Sequence, residues 1–235
     1  VIFPFEVDHY RAGGVDAVFV GHPLLDVHAE RLKSVDAPSR RGLLIAPGSR
    51  RQELERIGGA LGATIEFLRA RGATEFRVSR APGVRASWLQ PIVDAGATVV
   101  EGPLFDELRR SEAAVICSGT ATMEAALSGT PHVIVYRTGS VSYWIARRLA
   151  TVEHIGMANI VLGRRVFPEF LQDDLRPAAI AQTVGDLFLD PRAGARERQL
   201  RDMAELRERL GGPGCFRRVA ELALQRFDHA LDGAN

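Results

Sequence analysis

The most constraining feature of this 235-residue chain is the alternation of short apolar runs with longer amphipathic segments. The runs are rich in β-branched side chains, which is typical of strands buried on both faces of a parallel sheet. They occur at residues 17–20, 43–46, 76–78, 98–100, 113–116 and 133–136. Helical patterns lie between them, at residues 51–71, 84–95, 105–111, 121–128 and 140–149. Strand and helix in turn predict an α/β fold, a Rossmann-like parallel sheet with helices on both faces.

The pattern changes near residue 150. Residues 152–174 are predicted to be irregular, and the chain then becomes purely helical. Helical patterns at residues 178–189, 195–210 and 215–231 are separated by an Asp-Pro pair and by a Gly-Gly-Pro-Gly breaker. We therefore expect one Rossmann-like domain at residues 22–175, preceded by a short piece of another domain and followed by a helical tail.

Composition and missing motifs exclude several functional classes. The 30 basic and 29 acidic side chains give a net charge of +1, so the basic excess of a general nucleic-acid binder is absent. Two cysteines cannot build a disulfide scaffold, and no apolar run approaches the length of about 18 residues that spans a bilayer. Lys33 is the only lysine, and the P-loop, dinucleotide-binding, nucleophile-elbow and metal-binding motifs are all missing. We therefore expect no metal and no organic cofactor.

The loop after residues 43–46 is the first candidate site. Residues 47–50 read Pro-Gly-Ser-Arg, and Glu53 follows within the next helical pattern. Glycine and serine at a helix start leave backbone N–H groups free for an anion, and Arg50 can make two hydrogen bonds to one phosphate. Alternatively, Ser49 is an ordinary helix N-cap. The local sequence does not decide between the two interpretations.

The loop after residues 113–116 is the second candidate. Residues 117–122 read Cys-Ser-Gly-Thr-Ala-Thr, and their small side chains let a ligand approach the backbone. Thr120 or Thr122 can cap the following helix or donate to a phosphate oxygen. Glu124 can accept hydrogen bonds from a ribose diol, or it can simply complement the helix dipole.

Two further segments carry weaker signals. Asn159 and Gln172 lie in the irregular stretch, where their amides can read a base or sugar edge or can merely cap loops. Residues 143–148 hold an aromatic pair followed by an arginine pair. That pattern is typical of a helix at a membrane surface, and a helix covering the sheet has the same appearance.

Taken in order, these motifs resemble those of the lipid-A-disaccharide synthases. Each motif is weak alone, but the ordered set extends from residue 4 to residue 172 and is specific. The matching stretches are residues 4–6 (Pro-Phe-Glu), 20–24 (Val-Gly-His-Pro-Leu), 47–53 (Pro-Gly-Ser-Arg-x-x-Glu), 118–124 (Ser-Gly-Thr-Ala-Thr-x-Glu), 131 (Pro), 136–137 (Tyr-Arg), 159–160 (Asn-Ile) and 168–172 (Pro-Glu-x-x-Gln).

The resemblance implies a GT-B glycosyltransferase, in which two Rossmann-like domains face each other across a cleft. It implies an inverting, metal-free transfer of 2,3-diacylglucosamine from its UDP derivative to 2,3-diacylglucosamine 1-phosphate. The chain is then expected to be the C-terminal half of such an enzyme. Residues 1–21 would be the last strand and linker of the N-terminal domain, residues 22–175 the UDP-sugar domain, and residues 176–235 helices that pack back toward the N-terminal domain.

The resemblance also implies roles for individual residues. Gly48, Ser49 and Arg50 would hold the diphosphate, with Arg50 stabilising the leaving UDP. Glu124 would bind the ribose, and the other expected donor contacts are Glu53, Ser118, Gly119, Thr120, Thr122, Asn159 and Gln172. The general base is expected outside this chain, with His22 and Glu6 only as weak substitutes, so the isolated chain is expected to bind donor without turnover.

The expected partners are the two lipid substrates and the cytoplasmic face of the inner membrane, where a peripheral enzyme would meet them. A homodimer is compatible with the sequence, and a nucleic-acid partner is not expected. Two other functions stay open: another UDP-sugar enzyme of the same fold, such as a UDP-N-acetylglucosamine 2-epimerase, and a non-catalytic nucleotide-sugar-binding module.

Overall fold

A computed structural model describes residues 1–33, 39–138, 154–190, 192 and 194–232, with side chains up to residue 226. Contacts along the chain divide it into two compact units. Residues 1–36 group with residues 204–235, and residues 37–203 form the larger unit. The helical pattern predicted at residues 140–149 lies outside the described residues, and so do the aromatic and arginine pairs within it.

The described part of the larger unit contains a six-stranded parallel sheet. Its strands are β1 Leu43–Ala46, β2 Phe76–Ser79, β3 Thr98–Val100, β4 Ala113–Cys117, β5 His132–Tyr136 and β6 Glu169–Leu171. They lie in the order β3-β2-β1-β4-β5-β6, and every neighbouring pair is parallel. Leu43 of the central β1 is in register with Phe76 on one side and Ala113 on the other. The predicted Rossmann-like sheet is confirmed.

Helices cover both faces of this sheet. They are α4 Arg51–Ala70, α5 Gln90–Asp94, α6 Leu104–Arg109, α7 Thr120–Ser128, α8 Met157–Leu162 and α9 Pro177–Phe188. The buried leucines and isoleucines of α4 recur every three or four residues, at positions 54, 57, 61, 65 and 68, and pack with Leu43 and Ile45. The alternate strand residue Leu44 packs with Leu108 of α6 and Ala125 of α7. Because successive side chains of a strand point to opposite faces, α4 and α7 lie on opposite sides of the sheet.

Helix α9 also belongs to the sheet unit. Its buried Ile180 and Val184 join the same hydrophobic cluster as α4. Arg71, at the end of α4, donates to the carbonyl of Ala181 (2.9 Å) and pairs with Asp186 (3.1 Å). The apolar face of α9 is therefore already covered here. Within this unit, α4 offers the apolar face that covers the buried side of α9. Helix α10 (Ala195–Arg209) follows α9.

The smaller unit is helical where it is regular. It contains α1 Pro4–Ala12, α2 Pro23–Val27, α3 Ala29–Lys33 and α11 Cys215–Asp232. Asp26 of α2 accepts hydrogen bonds from the backbone N–H groups of Gly214 and Phe216, at the start of α11. A carboxylate at this position satisfies N–H groups that the helix itself leaves free.

The apolar run at residues 17–20 is not a strand of the sheet, and this prediction was wrong. The amino group of Val1 donates to the carbonyl of Val18 (2.8 Å), and the carbonyl of Val1 accepts from Val20 N–H (3.1 Å). This is the hydrogen-bond pattern of parallel strands, limited to one residue. An apolar run becomes a strand only where a neighbouring strand pairs with it over several residues.

The irregular stretch predicted at residues 152–174 contains two regular elements. Helix α8 and the edge strand β6 both fall within it. The predicted helix at residues 84–95 is a 3₁₀ turn at Ala86–Leu89 followed by the short α5. Across the described ranges, no helix combines the length and the apolar character that a bilayer crossing requires.

Candidate functional site

The strand order places the candidate site at the centre of the carboxyl edge of the sheet. The chain leaves β1 toward β2 and then β3, and it returns through β4 to the other side of β1. The loops after β1 and β4 therefore diverge to opposite faces and leave a crevice between them. Ligands of open parallel sheets bind at such a switch point. The two strongest sequence motifs, at residues 47–50 and 117–122, are these two loops.

Gly48 fixes the shape of the first loop. Its φ of +100° lies in a region that side chains disfavour. A Cβ at this position would lie 2.7 Å from Oε2 of Glu53 and 3.4 Å from Sγ of Cys117. The loop backbone therefore packs directly on these two side chains, both of which are buried. Burial, reinforced by the Glu53 carboxylate, raises the pKa of Cys117 to about 12, so the thiol stays protonated.

Arg50 is the N-cap residue of α4, and its side chain makes no capping hydrogen bond. The alternative in which Ser49 is the N-cap is therefore wrong. Arg50 Nη1 donates to Oε1 of Glu53 at 2.8 Å. The Arg50 side chain is 79% exposed, whereas that of Glu53 is 11% exposed. The hydrogen bond and the charge of Glu53 raise the pKa of Arg50 further. Glu53 thus lies beneath an exposed guanidinium at a helix N-terminus, where an anion is favoured.

The second loop presents backbone and one threonine to solvent. Gly119 precedes α7 with a φ of +154°, and Thr120 begins the helix and is exposed. Thr122 is buried, and its hydroxyl donates to the carbonyl of Gly119 at 2.8 Å. This bond stabilises the loop and leaves Thr122 unsuited to contact a phosphate. Ser118 is half-buried and extends the pairing of β4 with β5 by donating to the carbonyl of Val135.

Glu124 lies one turn into α7 and is half-buried. Burial raises the pKa of its carboxyl group above the ordinary value for glutamate. A carboxylate that only balanced the helix dipole would lie in water at the first turn. The half-buried position of Glu124 therefore differs from that of a carboxylate that only balances the helix dipole.

Asn159 does not line the site, contrary to the expectation from sequence. Its Nδ2 donates to the carbonyl of Phe167 and to Oε1 of Glu169, both at 2.8 Å. Its Oδ1 accepts from the N–H groups of Val166 and Phe167, both at 2.9 Å. The amide has two hydrogens and two lone pairs, and all four are used. Asn159 therefore holds the turn between α8 and β6 and has no capacity left for a ligand.

Gln172 behaves in the opposite way. It follows β6 with a φ of 51°, the one positive φ among the non-glycine residues described. Its Nε2 is buried and has no hydrogen-bond partner within the described part of the chain. Backbone strain and an unpartnered amide both cost free energy, and both are found preferentially at binding sites. The expected assignment of Gln172 to the donor pocket is consistent with this geometry.

Two clefts flank the switch point on the same edge of the sheet. The first, which we call the arginine cleft, has a volume of about 460 Å³ and lies between the start of α4 and the end of β5. Its lining residues are Arg50, Arg51, Gln52, Glu53, Arg56, Tyr136, Arg137 and Thr138. Four guanidinium groups and one carboxylate make this cleft strongly positive.

The second cleft, which we call the β2–β3 cleft, has a volume of about 510 Å³. It is formed by the loops at residues 79–84 and 101–104, which leave β2 and β3. Arg80 Nη2 and Glu101 Oε1 form an ion pair there at 2.6 Å. Sequence reasoning missed this cleft because its loops contain no recognisable motif. The Pro-Gly pair at 82–83 and the Gly-Pro pair at 102–103 were the available signals of open turns.

The weak base candidates are used elsewhere. Both lie in the smaller unit. Oε2 of Glu6 accepts hydrogen bonds from the backbone N–H groups of Ile2 and Phe3, at the start of α1. His22 is buried beside Phe3, and its Nδ1 accepts from Leu24 N–H. Burial lowers the pKa of His22 against the opposing influence of Glu6. Both side chains therefore act as helix caps.

Comparison with known sequences identifies one family. The sequence model of the lipid-A-disaccharide synthetase family matches residues 1–213. The chain is 35% identical to the lipid-A-disaccharide synthase of Geobacter sulfurreducens over 236 aligned positions, which cover 96% of this chain and 61% of that protein. The identity with the lipid-A-disaccharide synthase of Anaeromyxobacter sp. strain K is 37%, covering 95% and 61%. The chain thus spans about three fifths of the length of these curated relatives.

Comparison with solved structures supports the fold class. The pneumococcal O-GlcNAc transferase GtfA, solved with UDP and GlcNAc, superposes with a TM-score of 0.50. The match has 18% sequence identity and covers 82% of this chain and 38% of that one. At this identity the likeness concerns the fold alone, a Rossmann-like α/β domain of the kind found in GT-B glycosyltransferases.

Proposed function

Because this chain belongs to the lipid-A-disaccharide synthetase family, we propose that it is the donor-binding part of a lipid glycosyltransferase. The reaction joins 2,3-diacylglucosamine, carried by UDP, to 2,3-diacylglucosamine 1-phosphate. The observation that carries the proposal is the convergence of two anion-binding loops at the switch point, with Arg50 held above them by the buried Glu53.

The diphosphate of the donor is assigned to the crevice between the two loops. The first-turn N–H groups of α4 and α7 point toward this edge from opposite faces of the sheet, so two helix N-termini share one anion. Gly48 and Gly119 let the phosphate oxygens approach the backbone closely. Arg50 adds an exposed positive charge, and Thr120 adds a hydroxyl at the helix start.

The direction of the donor follows from the two sides of the crevice. A UDP-sugar is linear, so base and sugar leave the diphosphate in opposite directions. The β2–β3 cleft lies on one side of β1 and accommodates a planar base between two turn loops. The sugar then extends past β4 toward β5 and β6, where the unpartnered Gln172 amide can donate to a hydroxyl or carbonyl. The ribose adjoins the diphosphate, and we assign its hydroxyls to Glu124, in the first turns of α7, because the N-terminus of α7 borders the same crevice.

The proposed step forms one bond and breaks one. The 6-hydroxyl oxygen of the acceptor attacks C1 of the donor sugar, the bond from C1 to the UDP oxygen breaks, and the hydroxyl proton passes to a general base. Negative charge grows on the diphosphate as UDP leaves. Arg50 and the helix N–H groups bind that charge more strongly in the transition state than in the ground state, which is the condition for acceleration. Glu6 and His22 cap helices, so we place the base on the remaining part of the longer relatives.

Binding of UDP to the chain of residues 1–235 tests the donor assignment. We expect calorimetry to give a UDP affinity at least about tenfold above that of uridine, because the diphosphate makes charge-assisted hydrogen bonds. In the full-length enzyme, Arg50→Ala should lower disaccharide formation about 100-fold. The chain of residues 1–235 mixed with both lipid substrates should form no disaccharide.

Three results would redirect the proposal. Equal affinities for UDP and uridine would contradict the assignment of a diphosphate site. Conversion of UDP-N-acetylglucosamine to its 2-epimer would favour the epimerase alternative. UDP binding with no activity in the full-length protein would favour a non-catalytic module.

We also propose that the full protein works at the cytoplasmic face of the inner membrane, because both substrates carry acyl chains. Residues 143–148 are the candidate contact, and they lie outside the described residues. Co-sedimentation with anionic vesicles at low salt should fall when Trp144→Ser is combined with Arg147→Glu, since each basic residue near such a surface contributes about 1 kcal/mol. Unchanged partitioning would rule out this segment as the contact.

A further inference from the structure

The arginine cleft holds more positive charge than the donor diphosphate requires. Arg50 already serves the crevice, and Arg51 forms an ion pair with Glu55 on the surface of α4 at 2.6 Å. The other two arginines of the cleft are Arg56 and Arg137, and neither pairs with a carboxylate within the described part of the chain. A cleft lined by four arginines and one carboxylate has a positive potential, and such a cleft concentrates anions.

The arginine cleft shares Arg50 with the donor phosphate site at one end, and the rest of the cleft extends beyond that site. Arg56 lies six residues beyond Arg50, which corresponds to about 9 Å along the axis of α4. The opposite wall consists of Tyr136, the last residue of β5, and of Arg137 and Thr138, which follow it. The cleft therefore extends away from the helix N-terminus and lies on the β5 side of the switch point. That is the side to which the donor sugar extends.

We propose that the arginine cleft is a second anion subsite, which takes the phosphomonoester of the acceptor while the diphosphate of the donor occupies the switch point. The inference rests on the proposed function, since it needs the sugar of the donor to extend toward β5. Arg56 and Arg137 bind the phosphate oxygens, and Tyr136 offers its phenolic hydroxyl. The acceptor is then positioned by its phosphate, so the subsite selects a sugar 1-phosphate over a neutral sugar.

Calorimetry on the chain saturated with UDP tests the proposal, with glucosamine 1-phosphate as the probe. We expect glucosamine 1-phosphate to bind the UDP complex, and glucosamine to bind at least about fivefold more weakly. Arg56→Gln and Arg137→Gln should each lower the affinity for glucosamine 1-phosphate about fivefold to tenfold, because each removes one charge-assisted contact in a partly exposed site. UDP affinity should stay within about twofold of the parent value. Arg201→Gln, on the exposed side of α10, is the charge-matched control and should change neither affinity.

Two measurements separate the possible outcomes. Melting temperatures of the variants should stay within about 2 °C of the parent, which excludes misfolding as the cause. Inorganic phosphate is the second probe. If it binds the UDP complex and the same two variants lose this binding, the phosphate group is the element that the cleft recognises. Competition between UDP and glucosamine 1-phosphate would overturn the proposal, because both would then use one site. Equal losses of affinity for UDP and for glucosamine 1-phosphate in the two variants would overturn the proposal as well. Failure of the parent chain to bind UDP would instead contradict the proposed function.

Discussion

Arg50 Nη1 lies 2.8 Å from Oε1 of Glu53, one turn further along α4. The carboxylate is buried and the guanidinium is exposed, so a buried partner holds an exposed cation. The other oxygen of Glu53 packs against Gly48, which ties the same carboxylate to the loop backbone. Glu53 therefore acts as a positioning residue. It orients Arg50 before the ligand arrives and reduces the conformational entropy lost on binding.

Removing Glu53 should weaken UDP binding through the loss of its hydrogen bond to Arg50. We expect Glu53→Ala to lower UDP affinity about fivefold to tenfold and Glu53→Gln to lower it less, because the amide oxygen still accepts from Arg50. Calorimetry with Arg50→Ala and the double variant completes a double-mutant cycle. Additive losses would contradict the positioning role, since a residue that acts through Arg50 adds nothing once Arg50 is absent. Glu55→Ala, which removes the exposed partner of Arg51, is the control.

Gly48→Ala should damage both stability and UDP binding. The matched control is Gly72→Ala, because Gly72 has a similar φ of +97° and open space where a Cβ would lie. Both variants incur the conformational cost of a positive φ, about 1–2 kcal/mol. Gly48→Ala must also displace the Glu53 carboxylate, which adds about 1–3 kcal/mol. Urea unfolding should show this difference, and only Gly48→Ala should lose UDP affinity. Equal effects of both substitutions would show that Gly48 matters for backbone conformation alone.

Asn159 and Gln172 should separate stability from binding. Asn159→Ala removes four buried hydrogen bonds and leaves their partners unsatisfied, so we expect a loss of about 3–5 kcal/mol in the free energy of unfolding. Gln172→Gly relieves the positive φ and removes the unpartnered amide, so stability should be unchanged or slightly raised.

The binding measurement for Gln172→Gly compares UDP-N-acetylglucosamine with UDP. We expect the affinity for the sugar nucleotide to fall about threefold to tenfold and the affinity for UDP to stay unchanged, because Gln172 lies on the sugar side. A UDP affinity that falls equally would place Gln172 near the nucleotide instead. A clear loss of stability would make Gln172 a structural residue like Asn159.

The strands and the two central loops could be predicted from sequence because their signals are local. An apolar run such as Ala113–Cys117 fits only a strand covered on both faces, and the boundaries agree within one residue. Strand β6 was missed because it is three residues long and starts with Glu169. That carboxylate is tolerated in the interior because it accepts hydrogen bonds from Gly156 N–H and from Asn159, which lie more than nine residues away. No local pattern reveals such compensation.

The roles of individual polar residues also depended on distant partners. Asn159 matches the family motif at the expected spacing, but its amide is used by backbone groups at residues 166 and 167. Thr122 fits a phosphate-binding loop, yet its hydroxyl stabilises that loop from within. Arg56 and Arg137 belong to no phosphate motif, and only the arrangement of α4 beside β5 brings them to one cleft. Sequence therefore indicated which loops form the site, whereas the contacts decide which side chains can reach a ligand.

The raised pKa of Glu124 gives opposite pH dependences for stability and for binding. Burial raises the pKa of this carboxyl group above its pKa in the unfolded chain. Its contribution to the stability of the free chain is therefore fully present at a pH below the unfolded-state pKa, and it is lost as the pH rises through the folded-state pKa. Ribose hydroxyls donate hydrogen bonds, so they require the ionised carboxylate, and UDP affinity should rise over the same interval. Glu124→Gln removes the titrating group, so the pH dependence of stability and that of UDP affinity should both become flatter. The variant should also bind UDP about threefold to tenfold more weakly at neutral pH. Ionisation of the UDP phosphate affects parent and variant alike, so the difference between their pH profiles isolates Glu124.

Calorimetry with 2′-deoxy-UDP should show a smaller difference in affinity between the parent and Glu124→Gln, because one of the two ribose hydroxyl donors is absent. Equal losses for UDP and 2′-deoxy-UDP, or parallel pH profiles, would instead mean that Glu124 only complements the dipole of α7.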